Sequence, residues 1–147
     1  MLERSGVLAR ALDFPPGMDH RVTHIIELMR ERLHTALTVD DLARAIDLSP
    51  SRLGFLFRHE TGESPGAYLQ GLRMERARVL LESTDLSVGE VMRQVGLSDP
   101  SHFSRDFRRA HGLSPRSYRI QLRLAGPPTR YVHGNRTVTH AHDRRGK

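Results

Sequence analysis

Arginine is the residue type in this sequence with the widest scope for chemistry. All but one of the 23 basic residues are arginine, Lys147 being the exception. A guanidinium group is planar and presents five donors, so it binds carboxylates, phosphates and base edges through paired hydrogen bonds. The sequence contains no cysteine, which excludes disulfides, thiolate-bound zinc and thiol catalysis. Recognition by arginine is therefore the first chemistry to consider.

Histidine is the other residue type that could bind a metal or move a proton. Nine histidines are present, and His133, His140 and His142 lie near the C-terminus. A zinc site needs a fixed set of ligands, and no further ligands accompany the His-x-His pair. No pair of acids, nucleophile elbow or phosphate-binding loop is evident. We expect no catalysis, no metal and no cofactor.

Composition narrows the class of partner. The 147 residues fit one domain or two small subdomains, and the net charge of +6 with a pI near 10.9 favours polyanions such as nucleic acid or an anionic membrane. Much of the excess charge lies in residues 125–147. No apolar run approaches the ~20 residues that span a bilayer, and no signal peptide is evident. We expect a cytoplasmic protein without a membrane partner.

Capping residues and apolar spacing divide the chain into helices and no strand. A short leader over residues 1–18 precedes a first helix that begins after Asp19. Ser49-Pro50 and Ser64-Pro65 are cap-then-proline starts, and Ser87 with Glu90 forms a capping box. Ser98 or Asp99 caps a later helix. The predicted segments are a helix-turn-helix at 38–61, a long helix at 65–82, a second helix-turn-helix at 87–111, a last helix at 115–124, and a disordered basic tail at 125–147.

The chain repeats itself with a shift of 49 and then, after one inserted residue, of 50. Leu37, Leu42, Ile46, Leu48 and Ser49 correspond to Leu86, Val91, Val95, Leu97 and Ser98. Leu53, Phe57, Arg58, Gly62, Ser64, Pro65, Tyr68, Leu72 and Arg73 correspond to Phe103, Phe107, Arg108, Gly112, Ser114, Pro115, Tyr118, Leu122 and Arg123. Two short helices joined by a tight turn form a unit that enters the major groove of DNA, although plain helical bundles also contain such units.

The stretch Leu37–Tyr118 closely resembles the DNA-binding region of the AraC family of bacterial transcription regulators. The resemblance rests on LTVDDLARAIDLSPSRLGFLFRHETGESPGAYLQGLRMERARVLL and on STDLSVGEVMRQVGLSDPSHFSRDFRRAHGLSPRSYR. It implies an all-α architecture of seven helices, in which two helix-turn-helix subdomains are joined by a long linker helix. It also implies double-stranded DNA as partner, an asymmetric site spanning two adjacent major-groove segments, and contact with RNA polymerase, with activation as the favoured sign of regulation.

The sequence departs from the family pattern in both motifs. In the second motif Met92 stands where the family usually has alanine, and Leu97 stands where it has phenylalanine. Met92 could crowd the two helices, although its thioether is flexible. In the first motif Gly54-Phe55 replaces residues that are often polar or basic. These departures keep a second hypothesis open, namely an interaction module or anti-activator with weak DNA binding.

Helical phase and the family pattern together select the candidate contacts. Arg52 and Arg105 are the candidate base readers, because a guanidinium can bond O6 and N7 of guanine together. Phe55 could touch a thymine methyl group or pack on a neighbouring helix. Arg108 and Arg109 are candidate phosphate partners, and Thr38 and Ser87 mark helix N-termini that could meet phosphates. The remaining candidates are Ser51, Arg58, Ser101, His102 and Ser104.

Full regulators of this family usually carry a ligand-sensing domain. Residues 1–19 are too short for one, so we expect no small-molecule domain in this chain. The sequence leaves open whether it acts alone or within a larger regulator.

Overall fold

The structure, a computed structural model, describes residues 14–126, 129–133 and 136–140. Seven helices run through residues 14–126, in agreement with the predicted all-α architecture. They are α1 (His20–Arg32), α2 (Val39–Ala45), α3 (Pro50–Thr61), α4 (Pro65–Ser83), α5 (Val88–Gln94), α6 (Pro100–His111) and α7 (Pro115–Ala125).

Two short strands follow the helices, where the sequence analysis predicts neither a strand nor any order. β1 (Thr129–His133) and β2 (Arg136–His140) pair antiparallel, with Tyr131 opposite Val138. The segments TRYVH and RTVTH are rich in β-branched residues, which favour strands, but each is too short to show a clear period. The prediction of disorder is wrong for these ten residues, and the other tail residues beyond Gly126 lie outside the described part.

Capping explains why the helices begin where they do. The Thr38 and Ser87 hydroxyls accept the N–H of Asp41 and Glu90, and each carboxylate accepts the N–H of its cap in return. Asp19, Ser49, Ser64, Asp99 and Ser114 cap the other helices. The structure thus selects Asp99, not Ser98, because the inserted residue moves the cap one position along the chain.

The turns of the two helix-turn-helix motifs adopt the same backbone conformation. Asp47 in the first and Gly96 in the second are both left-handed, with φ of 53° and 78°. The N–H of Leu48 donates to the Ala43 carbonyl at 3.0 Å, and the N–H of Leu97 donates to the Met92 carbonyl at 3.1 Å. Met92 is buried, so the larger side chain fits inside the second motif without opening its turn.

The chain divides into two compact units between Leu72 and Arg73. In the N-terminal unit, α1, α2, α3 and the start of α4 enclose an apolar core. Phe57 packs edge-on against Tyr68, with ring centroids 5.3 Å apart. Phe14, from the end of the predicted leader, packs against this core and lies under the Arg30 guanidinium at 5.6 Å. The core consists of Val22, Ile25, Ile26, Met29, Leu37, Leu42, Ala43, Leu53, Phe57 and Leu69.

The C-terminal unit has an apolar core with a polar border. Phe107 packs edge-on against Tyr118 at 5.5 Å, and its ring centroid lies 6.0 Å from that of Phe103. The Tyr118 hydroxyl donates to Glu82, whose second oxygen accepts from the buried Arg78. Burial raises the pKa of Tyr118, and its bond to Glu82 raises it further. The phenol is therefore a neutral donor that ties α7 to α4.

Candidate nucleic-acid interface

The second helix of each motif, α3 and α6, has the same length and the same pattern of exposure. Each has twelve residues, a proline at its first position and a left-handed glycine after its last. Residue by residue, positions 51–60 and 101–110 fall into identical classes of burial. Leu53 and Phe57 point into one core as Phe103 and Phe107 point into the other. The two helices therefore present equivalent outer faces.

On α3, all four predicted contacts lie on the exposed side. Ser51, Arg52 and Arg58 are exposed, and Phe55 keeps 79% of its surface accessible. The alternative that Phe55 packs on a neighbouring helix is therefore wrong. The structure brings an aromatic ring and two guanidinium groups to one helix face.

On α6, five of the six predicted contacts are exposed: Ser101, His102, Arg105, Arg108 and Arg109. Ser104 differs, because it is half-buried and lines an apolar groove of about 140 Å³ with Met92 and Phe103. A half-buried side chain in a groove wall is less accessible to DNA than one on the exposed face of the helix. Ser104 is thus the predicted residue that the geometry favours least.

His102 is positioned by a residue that sequence reasoning did not assign to the site. Asp99 Oδ1 accepts the backbone N–H groups of Ser101 and His102, and its Oδ2 lies 2.7 Å from His102 Nδ1. These backbone and ring bonds lower the pKa of Asp99. The carboxylate can accept a hydrogen bond from Nδ1–H, and Nε2 takes no part in this pair. The sequence feature that could have predicted this pair is a capping aspartate three residues before a histidine.

Thr38 and Ser87 serve as caps first. Their hydroxyls and their own N–H groups are engaged within the two capping boxes. An acid stands in each first turn, so a phosphate would meet Asp41 or Glu90 there. That these N-termini meet phosphates stays a prediction, and it would use the other N–H groups of each first turn.

Equivalent positions on the two outer faces carry different chemistry. Arg58 matches Arg108, but Arg52 matches His102 and Phe55 matches Arg105. Gly54 matches Ser104, and a Cβ added at Gly54 would meet no atom within 4 Å. The shared geometry holds two unlike sets of side chains.

Among the residues that the structure describes, no group of three or more histidines and acids is placed to hold a metal ion. None of the helices there is long and apolar enough to cross a membrane.

Comparison with known proteins agrees with this geometry. A helix-turn-helix domain family matches residues 42–121, more than half of the chain. The arabinose operon regulatory protein of Salmonella typhimurium is 33% identical over 120 residues, which cover 81% of this chain and 42% of that protein. The arabinose operon regulatory protein of Escherichia coli is 34% identical over 105 residues, 71% of this chain and 36% of that protein. This chain thus spans less than half the length of these relatives.

One similar solved structure contains bound DNA. The DNA-binding domain of the global transcriptional factor AdpA, in complex with a target DNA, superposes with a TM-score of 0.67 at 33% identity. The match covers 70% of this chain and 93% of that one. The fold, the exposed arginine faces and the relatives together place this chain in the class of helix-turn-helix DNA-binding domains. Within that class, the chain belongs to the AraC family.

Proposed function

We propose that this chain recognises a specific, asymmetric DNA site through two adjacent major-groove segments, one for α3 and one for α6. The observation that carries the proposal is the identical exposure pattern of α3 and α6 combined with their unlike outer residues. Equal geometry suits two similar grooves, and unequal side chains suit two different base sequences.

Base reading on α6 is assigned to Arg105. It lies in the middle of the helix, is exposed, and has Ser101, Arg108 and Arg109 within one turn on either side. A helix in the major groove brings such a residue nearest to the base edges, and guanine is the base that a guanidinium bonds twice. Arg52 has this role on α3.

Phosphate contacts are assigned to Arg58, Arg108 and Arg109 near the ends of the two helices. These positions leave the groove floor and meet the backbone, where contacts set register and carry no sequence information. His102, held by Asp99, adds a directed donor or acceptor at the start of α6.

The biological setting is also part of the proposal. We propose that the chain acts in a bacterial cytoplasm and activates transcription by contacting RNA polymerase. A reporter gene behind the selected site tests the sign of regulation, since expression should rise with the chain and fall without it.

The test of DNA recognition is selection from a random DNA pool at about 0.15 M salt, followed by titration of the selected and scrambled duplexes. We expect an asymmetric site of roughly 20 base pairs with two boxes one helical turn apart. Enrichment of one box would limit base reading to one motif. Binding that is weak, unselective and abolished by salt would overturn the proposal and favour the interaction module.

A further inference from the structure

Phe55 is an apolar side chain at a position where the second motif has a base reader. It is 79% exposed, and it matches Arg105 in both sequence register and burial class. Leaving a large aromatic side chain in water forgoes the favourable free energy of its burial. No described contact inside the protein recovers that free energy, so the ring is available to an outside partner.

Gly54, the neighbour of Phe55, has no role in packing. A glycine inside a helix destabilises it relative to alanine, and a Cβ here would meet no atom within 4 Å. The backbone is helical, so no left-handed conformation requires glycine. Gly54 is half-buried, as is Ser104 at the matching position of α6, and its missing side chain leaves open space on the flank of α3 beside Phe55.

The flanking residues identify the partner. Arg52 and Arg58 lie three residues before and after Phe55, so all three share one face of α3. An apolar ring between a guanidinium group assigned to a base edge (Arg52) and one assigned to a phosphate (Arg58) complements a groove floor with an apolar spot beside that base. In the major groove that spot is the C5-methyl group of thymine.

We propose that Phe55 is a specificity-determining residue that packs on the methyl group of one or two thymines, and that Gly54 permits the approach. The proposal rests on the proposed function: on α3, Phe55 reads a methyl group beside the guanine contact of Arg52, while the matching position of α6 reads guanine through Arg105. The asymmetry of the site is then one of chemistry as well as of sequence.

Replacing thymine by deoxyuridine removes the methyl group and keeps the base pairing, so it tests this contact alone. The full chain is titrated on the selected duplex with each thymine replaced in turn. The box read by α6 is located first as the one in which Arg105→Ala relaxes preference. In the other box, we expect one or two replacements to weaken binding about fourfold, the effect of one buried methyl group.

The protein side of the same test uses matched variants. Phe55→Ala should weaken binding to the thymine duplex at least fourfold and abolish the difference between thymine and deoxyuridine. Leu124→Ala, which removes an equally exposed apolar side chain (81%) from α7, should change neither value. Gly54→Ala should weaken binding without lowering the melting temperature, while the exposed helical Gly71→Ala should leave binding unchanged.

The outcomes separate the two proposals. A selected site that is insensitive to deoxyuridine in every position overturns the role of Phe55 and leaves sequence-specific binding in place. Failure to select any site overturns the proposed function itself. If Phe55→Ala instead changes the molecular mass measured by light scattering and leaves the thymine effect intact, Phe55 serves self-association and the methyl contact is rejected.

Discussion

Side chains at matching positions of α3 and α6 decide what each helix can recognise. The pairs Phe55 with Arg105 and Arg52 with His102 place apolar, cationic and titratable groups on the same scaffold position. Because the backbone frame is shared, differences in binding between the helices can be attributed to these side chains.

Replacing Arg105 tests base reading by α6. Arg105→Ala should reduce affinity for the selected site by about 1–3 kcal/mol and relax preference at one base pair, because a bidentate contact to guanine is lost. Competition titration of all four base pairs at each position measures this. Arg123→Ala, which removes an exposed arginine from α7, is the control. Equal losses on selected and random DNA would count against direct reading.

Replacing Arg108 tests a phosphate contact. Arg108→Ala should weaken binding to every sequence alike and reduce the slope of log affinity against log salt by about one, because one fewer counterion is released. Filter binding at four salt concentrations gives the slope. An unchanged slope would show that Arg108 meets no phosphate.

Caps and turns determine where each helix of the two helix-turn-helix motifs begins and ends. Both first helices, α2 and α5, have only seven residues. Such short helices are marginal on their own, so their capping boxes contribute a substantial part of their stability.

Ser87→Ala tests the capping box of α5. Loss of the bond to the Glu90 N–H should lower the free energy of unfolding by ~1 kcal/mol. Ser98→Ala, in the turn of the same motif, is the matched control, because Asp99 and not Ser98 caps the following helix. Urea titration followed by circular dichroism compares the two. Equal stability of both variants would contradict the assigned cap.

Gly96→Ala tests the left-handed turn of the second motif. At φ of 78°, a Cβ meets the neighbouring carbonyl oxygen, so we expect a loss of roughly 1–2 kcal/mol. Gly71→Ala inside α4 should instead stabilise by roughly 0.5–1 kcal/mol, since nothing lies within 4 Å of its new Cβ. Thermal melts of both variants measure these changes in stability. A melting temperature for Gly96→Ala at or above that of the unchanged chain would disprove the predicted strain at this turn.

Charge governs the whole molecule in two ways. The net charge of +6 favours approach to DNA and makes binding sensitive to salt. Within the fold, three carboxylates that cap or support helix starts have a lowered pKa: Asp19, Asp41 and Asp99. Each is held in its charged form by hydrogen bonds, so acid should destabilise the protein.

The acid response can be assigned to Asp19. Its hydrogen bonds to Arg21 lower its pKa from 3.8 to about 2. Since the folded pKa lies below the unfolded one, the stabilisation is complete above about pH 4 and is lost as the pH falls through 2. Asp19→Asn keeps a capping side chain without the charge. The stability difference between the two proteins, measured by urea titration, should shrink from pH 6 to pH 2; a constant difference would contradict the linkage.

Local rules determined most of the helical architecture from the sequence alone. Caps, Ser-Pro starts, glycine stops and the internal repeat place seven helices with ends within one residue or so of those observed, because these signals act over three or four neighbouring residues. Helical phase, together with the family pattern, also identified the outward arginines.

Tertiary structure decided what depends on contacts distant in sequence. It exposes Phe55, accommodates Met92 without opening the turn, and places Ser104 in a groove wall. Composition alone did not reveal the strands β1 and β2, because pairing between two short segments supplies what neither segment has by itself. Periodicity shows which side of a helix faces out, but only the packed neighbours show how much room remains beside each residue.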